Sequence, residues 1–296
     1  MTPFNGLSAF LITPADEFGR VDTEALSRIL IPIMAAKAGS VGLLGSTGTY
    51  VYLNREERKR AVKTAAETIN KALPLIVGVG ALRTSDAVTY AQDAQEAGAT
   101  ALLLAPVSYT PLTQDEVYAH FSAIAEATDL PICIYNNPST THFSFDLPLL
   151  QRLADISNIA AVKMPLPASG TVQDDLTQLR AKLPDGFSIG YSGDWGCAEA
   201  LLEGADTWYS VIGGILPDVS LALTKAAQAS DREQAHAKNA ALEPLWSLFK
   251  EYGSLRVVYV IAQYLSLTNA QPPRPILPLN TEARARIVKA LGALEI

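Results

Sequence analysis

The sequence predicts an α/β fold, a TIM (β/α)8 barrel with a C-terminal helical extension, from three observations. First, short apolar segments alternate with longer amphipathic segments at intervals of about 25 to 35 residues. Second, the short segments are apolar throughout, as in parallel strands that are covered on both faces. Third, there are eight of them, and eight such units favour a closed barrel over an open sheet.

The bounds of these segments follow from the glycine, proline and polar residues around them. The predicted strands are residues 6–13, 41–44, 75–79, 101–105, 131–135, 159–163, 186–191 and 207–211. Between the strands, apolar residues recur with helical periodicity. The predicted helices are residues 22–38, 54–71, 84–98, 113–128, 146–154 and 170–182, followed by one that ends at residue 204.

Capping residues mark where several of these helices begin. Asp22 precedes the first helical segment, and Thr84 or Ser85 is expected to cap the third. Thr113 is followed three residues later by Glu116, which is the pattern of a capping box. These signals fix the helix starts more firmly than the helix ends.

The last part of the chain is predicted to be helical from residue 216 onward. Three or four helices are expected there, interrupted at Gly253 and at residues 271–275. No linker or shift in composition precedes them. We therefore expect two parts packed as one unit: the barrel over residues 1–215, and its last helix with a C-terminal helical appendage over residues 216–296.

Composition and charge exclude several classes of protein. A formal net charge of −7 and a pI near 5.1 make nucleic acid and anionic membranes poor partners. The apolar runs are too short to span a bilayer, and we expect no signal peptide because the N-terminus lacks a basic region. Cys133 and Cys197 do not form a CxxC pair, so no metal site is predicted. Both are expected to be reduced thiols in a cytoplasmic protein.

One predicted strand, residues 159–163, ends in a lysine that a methionine and a proline follow. Lys163 would carry its amine into an enclosed pocket at the end of this strand. Burial disfavours the ammonium form of a lysine, so the neutral amine can act as a nucleophile near pH 7 and form a Schiff base with a carbonyl. The alternative is that Lys163 extends its amine into solvent at the strand terminus.

Hydroxyl groups follow two other strands at the same end of the predicted barrel. Gly45-Ser46-Thr47-Gly48 places two hydroxyls between two glycines, and such a loop can bind a carboxylate or phosphate. An ordinary turn is the alternative. Tyr135 ends the fifth strand and could relay protons to a lysine one strand away, or could be a packed aromatic. Cys133 lies on the same strand face and is expected to fill space inside the barrel.

Together these residues resemble the dihydrodipicolinate synthase / N-acetylneuraminate lyase family of pyruvate enzymes that form a Schiff base. The similarity covers nearly the whole chain. The matching segments are Gly45-Ser46-Thr47-Gly48, Tyr135-Asn136-Asn137-Pro138, Val162-Lys163, Ser192-Gly193-Asp194 and Arg274-Pro275. Each motif is weak alone, but four in the right order at the right strand ends are specific.

The resemblance implies that Lys163 forms an imine with the ketone carbon of pyruvate or a longer 2-oxo acid. Tyr135 is implied to shuttle protons, and Ser46 with Thr47 to hold the carboxylate. The imine stabilises an enamine that adds to an aldehyde, or that forms when a carbon–carbon bond breaks. The covalent imine needs no metal or organic cofactor. Because the family usually forms tetramers, we expect a homotetramer or homodimer.

Several positions depart from the family's pattern. Its loop after the second strand ends in Glu where this chain has Thr49, and its synthase members carry Arg where this chain has Thr140. The acid after the lysine is Met164 here. Residues 106–111 lack the family's paired tyrosines, and Tyr109 is expected to relay protons instead. The remaining substrate contacts are expected from Thr49, Thr140, Gly193 and Tyr209.

The leading functional prediction is therefore a lyase or aldolase that joins or separates a 2-oxo acid and an aldehyde through Lys163. Without the Arg and Glu, the aldehyde portion is expected to be less charged than aspartate-semialdehyde, either hydroxylated or apolar. One alternative is a 4-hydroxy-tetrahydrodipicolinate synthase, with an arginine supplied by Arg274 or a neighbouring subunit. A second alternative is a non-catalytic 2-oxo-acid sensor.

Overall fold

The computed structural model describes residues 2–294, in which eight parallel strands close into a barrel. The strands are β1 (Gly6–Phe10), β2 (Ser40–Leu43), β3 (Leu75–Gly78), β4 (Ala101–Leu104), β5 (Ile132–Tyr135), β6 (Ile159–Met164), β7 (Ser188–Tyr191) and β8 (Thr207–Ser210). Each strand pairs with the next along the chain, and β8 pairs with β1. The predicted TIM-barrel fold is confirmed.

Helices surround the barrel and follow each strand. They are α1 (Thr23–Ala36), α2 (Arg55–Ile69), α3 (Thr84–Glu96), α4 (Gln114–Ala125), α5 (Pro138–Thr141), α6 (Leu147–Ala154), α7 (Val172–Arg180), α8 (Cys197–Leu202), α9 (Pro217–Gln228), α10 (Arg232–Ala241), α11 (Glu243–Tyr252), α12 (Ser254–Tyr264) and α13 (Thr281–Gly292). The sequence did not predict the single turn of α5. This turn follows β5 closely, and its residues Thr140 and Thr141 line the cavity described below.

Helix capping agrees with the sequence at two sites and differs at a third. Asp22 accepts a hydrogen bond from the third residue of α1, and Thr113 forms the predicted capping box with Glu116. Neither Thr84 nor Ser85 caps α3, since Arg83 occupies the N-cap position. The hydroxyl of Thr84 instead pairs with Nδ1 of a histidine on α4 at 2.9 Å. A tertiary contact therefore replaces the predicted cap.

The barrel has two separate apolar layers, one inside the strands and one between the strands and the helices. The inner layer consists of Phe4, Phe10, Ile76, Ala101, Leu103, Ala105, Cys133, Tyr135, Ala161 and Tyr209. At the amino-terminal end of the strands the interior is polar, where Ser40 donates a hydrogen bond to Ser8 at 2.9 Å. In TIM barrels the functional cavity lies at the opposite end, formed at the carboxyl ends of the strands.

Five helices, α9 to α13, follow β8, where three or four were predicted. The extra break lies at Leu242, between α10 and α11, and no glycine marks it in the sequence. The predicted break at Gly253 is confirmed, with φ of +81°. The division at residues 215 and 216 stays a prediction, and residues 1, 295 and 296 of the two predicted parts lie outside the described residues.

Across residues 2–294, no helix has both the length and the apolar character needed to cross a membrane. In the same residues, no group of three His, Cys, Asp or Glu side chains is close enough together to hold a metal ion.

Candidate active site

A cavity of about 720 Å³ opens at the carboxyl ends of the barrel strands. Its polar side is formed by the loops after β2, β5 and β7, and its apolar side by residues after β6 and from the C-terminal helices. The lining residues are Ser46, Thr47, Tyr50, Val51, Tyr52, Val107, Ser108, Tyr135, Asn137, Ser139, Thr140, Thr141, Lys163, Pro165, Leu166, Ser192, Gly193, Asp194, Trp195, Val211, Phe249, Gly253, Ser254, Leu255 and Ile276.

Lys163 lies at the base of this cavity on β6, with only 4% of its surface exposed. It pairs in register with Tyr135 of β5, and both side chains face the barrel interior. The amine lies 4.1 Å from the ring centroid of Phe10, 4.6 Å from that of Tyr135 and 5.7 Å from that of Tyr209. Within residues 2–294 it has no ion pair. Lys163 therefore does not extend into solvent, and the alternative weighed from the sequence is excluded.

Two glycines make room for the aromatic rings around this amine. A Cβ on Gly42 would lie 2.5 Å from ring carbons of Phe10, so only glycine lets that ring lie across the barrel below Lys163. A Cβ on Gly190 would lie 2.6 Å from the ring of Tyr209. Contacts this short would force the rings to move. The glycines on β2 and β7 therefore define the apolar base on which the amine lies.

The hydroxyl of Tyr135 belongs to a chain of hydrogen bonds beside the amine. Asn137 Nδ2 donates to the Tyr135 hydroxyl at 2.8 Å. The Tyr135 hydroxyl lies 3.1 Å from Ser46 Oγ. Because Tyr135 accepts from Asn137, its own hydrogen is available for Ser46, and the hydrogen of Ser46 is then available to the cavity. Through this chain of hydrogen bonds a proton can pass between Tyr135, which lies beside the Lys163 amine, and Ser46 in the loop after β2.

Of the three predicted substrate-binding residues in the loop after β2, two line the cavity and one does not. Ser46 and Thr47 line the cavity. Thr49 is buried at 3% exposure and does not line it. Its hydroxyl lies beside that of Tyr259 on α12; burial raises the pKa of Tyr259 to about 12, and the contact with Thr49 acts in the opposite direction. Thr49 therefore anchors the loop to the C-terminal helices, and its predicted role as a substrate contact is corrected.

Asp194 is a buried carboxylate at the edge of the cavity. Its Oδ1 accepts from Trp208 Nε1 at 2.9 Å and from the Val211 N–H at 3.2 Å, and its Oδ2 accepts from the Ile212 N–H at 2.8 Å. Burial raises its pKa, while the three N–H donors act in the opposite direction. The carboxylate thus ties the turn after β7 to the turn after β8. The same turn brings Gly193 to the cavity, as predicted.

Three further predicted residues occupy different positions around the site. Thr140 lines the cavity from α5. Tyr209 is fully buried below Lys163 and accepts a hydrogen bond from Cys133 Sγ at 3.3 Å. It therefore supports the amine from below and does not line the cavity, which corrects its predicted substrate contact. Cys133 is buried, and burial raises its pKa to about 12, which agrees with a residue that fills space.

Tyr109, the predicted relay, lies outside the cavity of the described chain, and its role stays a prediction. Its side chain is 97% exposed and does not line the cavity. In the turn around it, the Ser108 hydroxyl donates a hydrogen bond to the carbonyl of Thr110. Besides Tyr135, the tyrosines that line the cavity are Tyr50 and Tyr52. The first of them, Tyr50, comes directly after the loop that follows β2. It is buried beside Arg58, whose guanidinium lies 5.0 Å from the ring centroid.

Sequence reasoning missed part of the lining. Tyr50 follows directly after the hydroxyl loop, so its position was a usable signal. Trp195 directly follows the Ser-Gly-Asp motif and was equally accessible. Phe249 and Leu255 come from α11 and α12. Nothing local in the sequence relates them to Lys163, because packing of the C-terminal helices alone brings them to the cavity.

These groups define a class of enzyme. A buried amine at a strand end, next to a tyrosine hydroxyl and a hydroxyl loop suited to a carboxylate, has the parts needed for Schiff-base chemistry on a carbonyl acid. The arrangement is that of a TIM-barrel lyase or aldolase.

The comparison with protein families agrees with this class. The model of the dihydrodipicolinate synthetase family matches residues 3–294, and the chain belongs to that family. It is 31% identical over 291 residues to the 4-hydroxy-tetrahydrodipicolinate synthase of Alcanivorax borkumensis, covering 97% of each chain. The Methylococcus capsulatus enzyme of the same name is 32% identical over 253 residues, with 85% of each chain covered.

Solved structures show the same similarity. The dihydrodipicolinate synthase of Agrobacterium tumefaciens superposes with a TM-score of 0.98 at 58% identity, over 99% of each chain. The dihydrodipicolinate synthase of Aquifex aeolicus superposes with a TM-score of 0.91 at 26% identity, over 98% of this chain and 97% of that one. The family resemblance seen in the sequence and the prediction of a lyase are both confirmed.

Proposed function

We propose that this lyase forms an imine between Lys163 and pyruvate, or another 2-oxo acid, and makes or breaks a carbon–carbon bond to an aldehyde. The observation that carries the proposal is the position of the Lys163 amine. It lies at the base of the cavity, 4.6 Å from the ring centroid of Tyr135. The tyrosine hydroxyl is in turn bonded to Ser46 and Asn137. The nucleophile, Lys163, thus lies next to a proton carrier, Tyr135, whose hydroxyl is oriented by its hydrogen bonds.

The proposed reaction begins with attack of the neutral amine on the ketone carbon of the acid. The carbinolamine that results takes up one proton and loses water, which gives the protonated imine; this proton is released again when the imine is hydrolysed. Loss of one proton from the neighbouring carbon gives the enamine, which Tyr135 can assist by accepting and returning protons. The enamine carbon then bonds to the aldehyde carbon, whose oxygen takes a proton. Water hydrolyses the imine, releasing a 4-hydroxy-2-oxo acid and restoring the free amine. The reverse sequence is cleavage.

The carboxylate of the 2-oxo acid is proposed to lie against Ser46 and Thr47. Both residues line the cavity in the same loop after β2, and hydroxyl donors of such a loop stabilise an anion. The carbanion equivalent is stabilised by the imine itself. The proposed reaction therefore uses no external cofactor.

The aldehyde is proposed to lack a carboxylate. Among the lining residues of the described chain, Lys163 is the only cation and Asp194 is the only carboxylate. Lys163 is used by the imine, and Asp194 is already bonded to three N–H donors. Thr140 occupies the position at which the family's synthases carry arginine. A carboxylated aldehyde would thus enter without a cation to pair with.

A second candidate is the activity named for the curated relatives, 4-hydroxy-tetrahydrodipicolinate synthase. Similarity to those relatives is the observation that favours it. The geometry is less favourable, because the exposed Arg274 does not line the cavity. A Thr140→Arg variant would decide between the two. We expect it to raise kcat/KM for aspartate-semialdehyde, and efficient use of that aldehyde by the unmodified enzyme would instead favour the second candidate.

Exchange of the methyl hydrogens of pyruvate in D2O tests the proposal without knowledge of the aldehyde. Formation of the enamine removes one of these hydrogens, so the enzyme should convert the methyl group to its deuterated forms, followed by proton NMR. Lys163→Ala should abolish the exchange. Lys238→Ala changes a half-buried lysine on α10 that does not line the cavity, and it should leave the exchange unchanged. A folded enzyme that binds pyruvate but exchanges no hydrogen would support the sensor alternative.

Two expectations from the sequence stay predictions. They are a homotetramer or homodimer in solution and a location in the cytoplasm.

A further inference from the structure

A half-exposed tryptophan lies at the rim of the candidate active site. Trp195 is 38% exposed and lines the cavity, whereas Trp208 and Trp246 are fully buried. An indole ring left partly in water forgoes the favourable burial of a large apolar surface. Such a ring beside a cavity is typical of a contact surface for an apolar group.

The backbone that carries Trp195 is held in place from two sides. It belongs to the short 3₁₀ turn Asp194–Gly196. On one side, Asp194 anchors that turn through its three hydrogen bonds. On the other, Leu166 packs so closely on Gly193 and Gly196 that a Cβ at either position would lie 3.0 Å or 2.5 Å from its side chain. The position of the ring is therefore set by the fold before any substrate binds.

The wall near Trp195 is also apolar. Leu166 comes from the loop after β6, and Phe249 and Leu255 come from α11 and α12. Ile276 completes this side. The polar side of the cavity, with Ser46 and Thr47, is proposed above to hold the 2-oxo acid. The apolar side is thus left to bind the aldehyde that reacts with the 2-oxo acid.

We propose that Trp195, with Leu166 and Leu255, forms a subsite for the substituent of the aldehyde, and that this substituent is an aryl or branched alkyl group. The inference rests on the proposed function, since it assigns the second substrate of the same reaction. The bond that forms joins the enamine carbon to the aldehyde carbon, the aldehyde oxygen takes a proton, and nothing is oxidised or reduced. Trp195 acts by contact with the substituent and takes no proton.

Kinetics with a panel of aldehydes tests the subsite. With pyruvate as donor, kcat/KM for benzaldehyde should exceed that for glyceraldehyde by about tenfold to a hundredfold, the range expected when an apolar pocket is filled. Trp195→Ala should remove most of this preference while leaving acetaldehyde unaffected. Trp195→Phe should keep most of it. Phe18→Ala changes an aromatic ring that is 86% exposed and absent from the cavity lining, and it should change nothing.

A binding measurement gives a second readout that does not depend on turnover. Because Trp195 is the only one of the three tryptophans that is not fully buried, quenching by 4-nitrobenzyl alcohol reports mainly on this ring. Saturable quenching is expected in the presence of pyruvate, and the Trp195→Phe variant should show only the weak signal of the buried rings. Quenching that rises linearly without saturation would overturn the subsite.

The failure of this inference is distinguishable from the failure of the proposed function. If pyruvate exchanges hydrogen but benzaldehyde has no advantage over glyceraldehyde, the imine mechanism stands and the apolar subsite is wrong. The same conclusion follows if Trp195→Ala leaves the preference intact. If no exchange occurs, the proposed function fails, and the quenching measurement alone decides whether the apolar subsite exists.

Discussion

Replacement of Asp194 tests whether one buried carboxylate fixes the two turns that border the cavity. Asp194→Ala leaves three N–H donors without their partner: the buried Trp208 Nε1 and Ile212 N–H, and the partly buried Val211 N–H. A buried polar group that loses its partner costs about 1 to 3 kcal/mol. Even with water replacing part of the loss, the alanine variant should lower the free energy of unfolding by about 3 kcal/mol.

The asparagine variant should be affected much less, because the two carboxylate oxygens have different partners. An amide oxygen at the position of Oδ1 keeps the bonds to Trp208 and Val211, and only the bond from Ile212 to Oδ2 is lost. Its cost should therefore be about 1 to 2 kcal/mol. Burial raises the pKa of Asp194 because it disfavours the charged carboxylate. The neutral amide of the asparagine variant avoids that cost.

Equilibrium unfolding in urea gives both values, with Asp185→Ala as a control for loss of an exposed carboxylate. The order of stability should be the unmodified protein, then asparagine, then alanine. The same order is expected for kcat/KM with benzaldehyde, because the turn carries Trp195. Equal stability of the alanine and asparagine variants would refute the assignment of three separate hydrogen bonds to this carboxylate.

Three other predictions concern catalysis, packing and pH. Tyr135→Phe should lower the rate of pyruvate hydrogen exchange by about 10²-fold to 10⁴-fold, because the proton carrier is lost; an unchanged rate would remove Tyr135 from the mechanism. Gly42→Ala should cost about 1 to 3 kcal/mol in urea unfolding, since its Cβ would lie 2.5 Å from the Phe10 ring, and full stability would contradict that contact. Hydrogen bonding to Arg55 lowers the pKa of Asp93, so Asp93→Asn should be destabilising above the unfolded-state pKa of about 3.9. That difference should vanish as pH falls through the lower native pKa, and a constant difference down to pH 2 would argue against the ion pair.

The barrel could be predicted from the sequence because its signals are local. Each strand is a continuous apolar segment followed by a helical segment with its own periodicity, and capping residues mark the start of several helices. Lys163 and Tyr135 were found for the same reason, since parallel strands bring their carboxyl ends to one edge. The structure pairs these two residues in register on neighbouring strands.

Other features depend on contacts between distant parts of the chain. Thr49 belongs to the same motif as Ser46, yet it faces Tyr259, which is 210 positions away in the sequence. Tyr109 was expected to relay protons, yet its side chain is 97% exposed in the described chain. The apolar wall of Phe249 and Leu255 exists only once α11 and α12 pack on the barrel. None of these contacts leaves a pattern in the local sequence.

Borohydride reduction in the presence of pyruvate shows whether an imine forms on Lys163. Reduction converts an imine to a stable amine, so the modified peptide can be identified by mass analysis. We expect one adduct, on the peptide that contains Lys163, and none in the Lys163→Ala variant. A folded enzyme that gives no adduct with pyruvate or with longer 2-oxo acids, or an adduct on another lysine, would contradict the account.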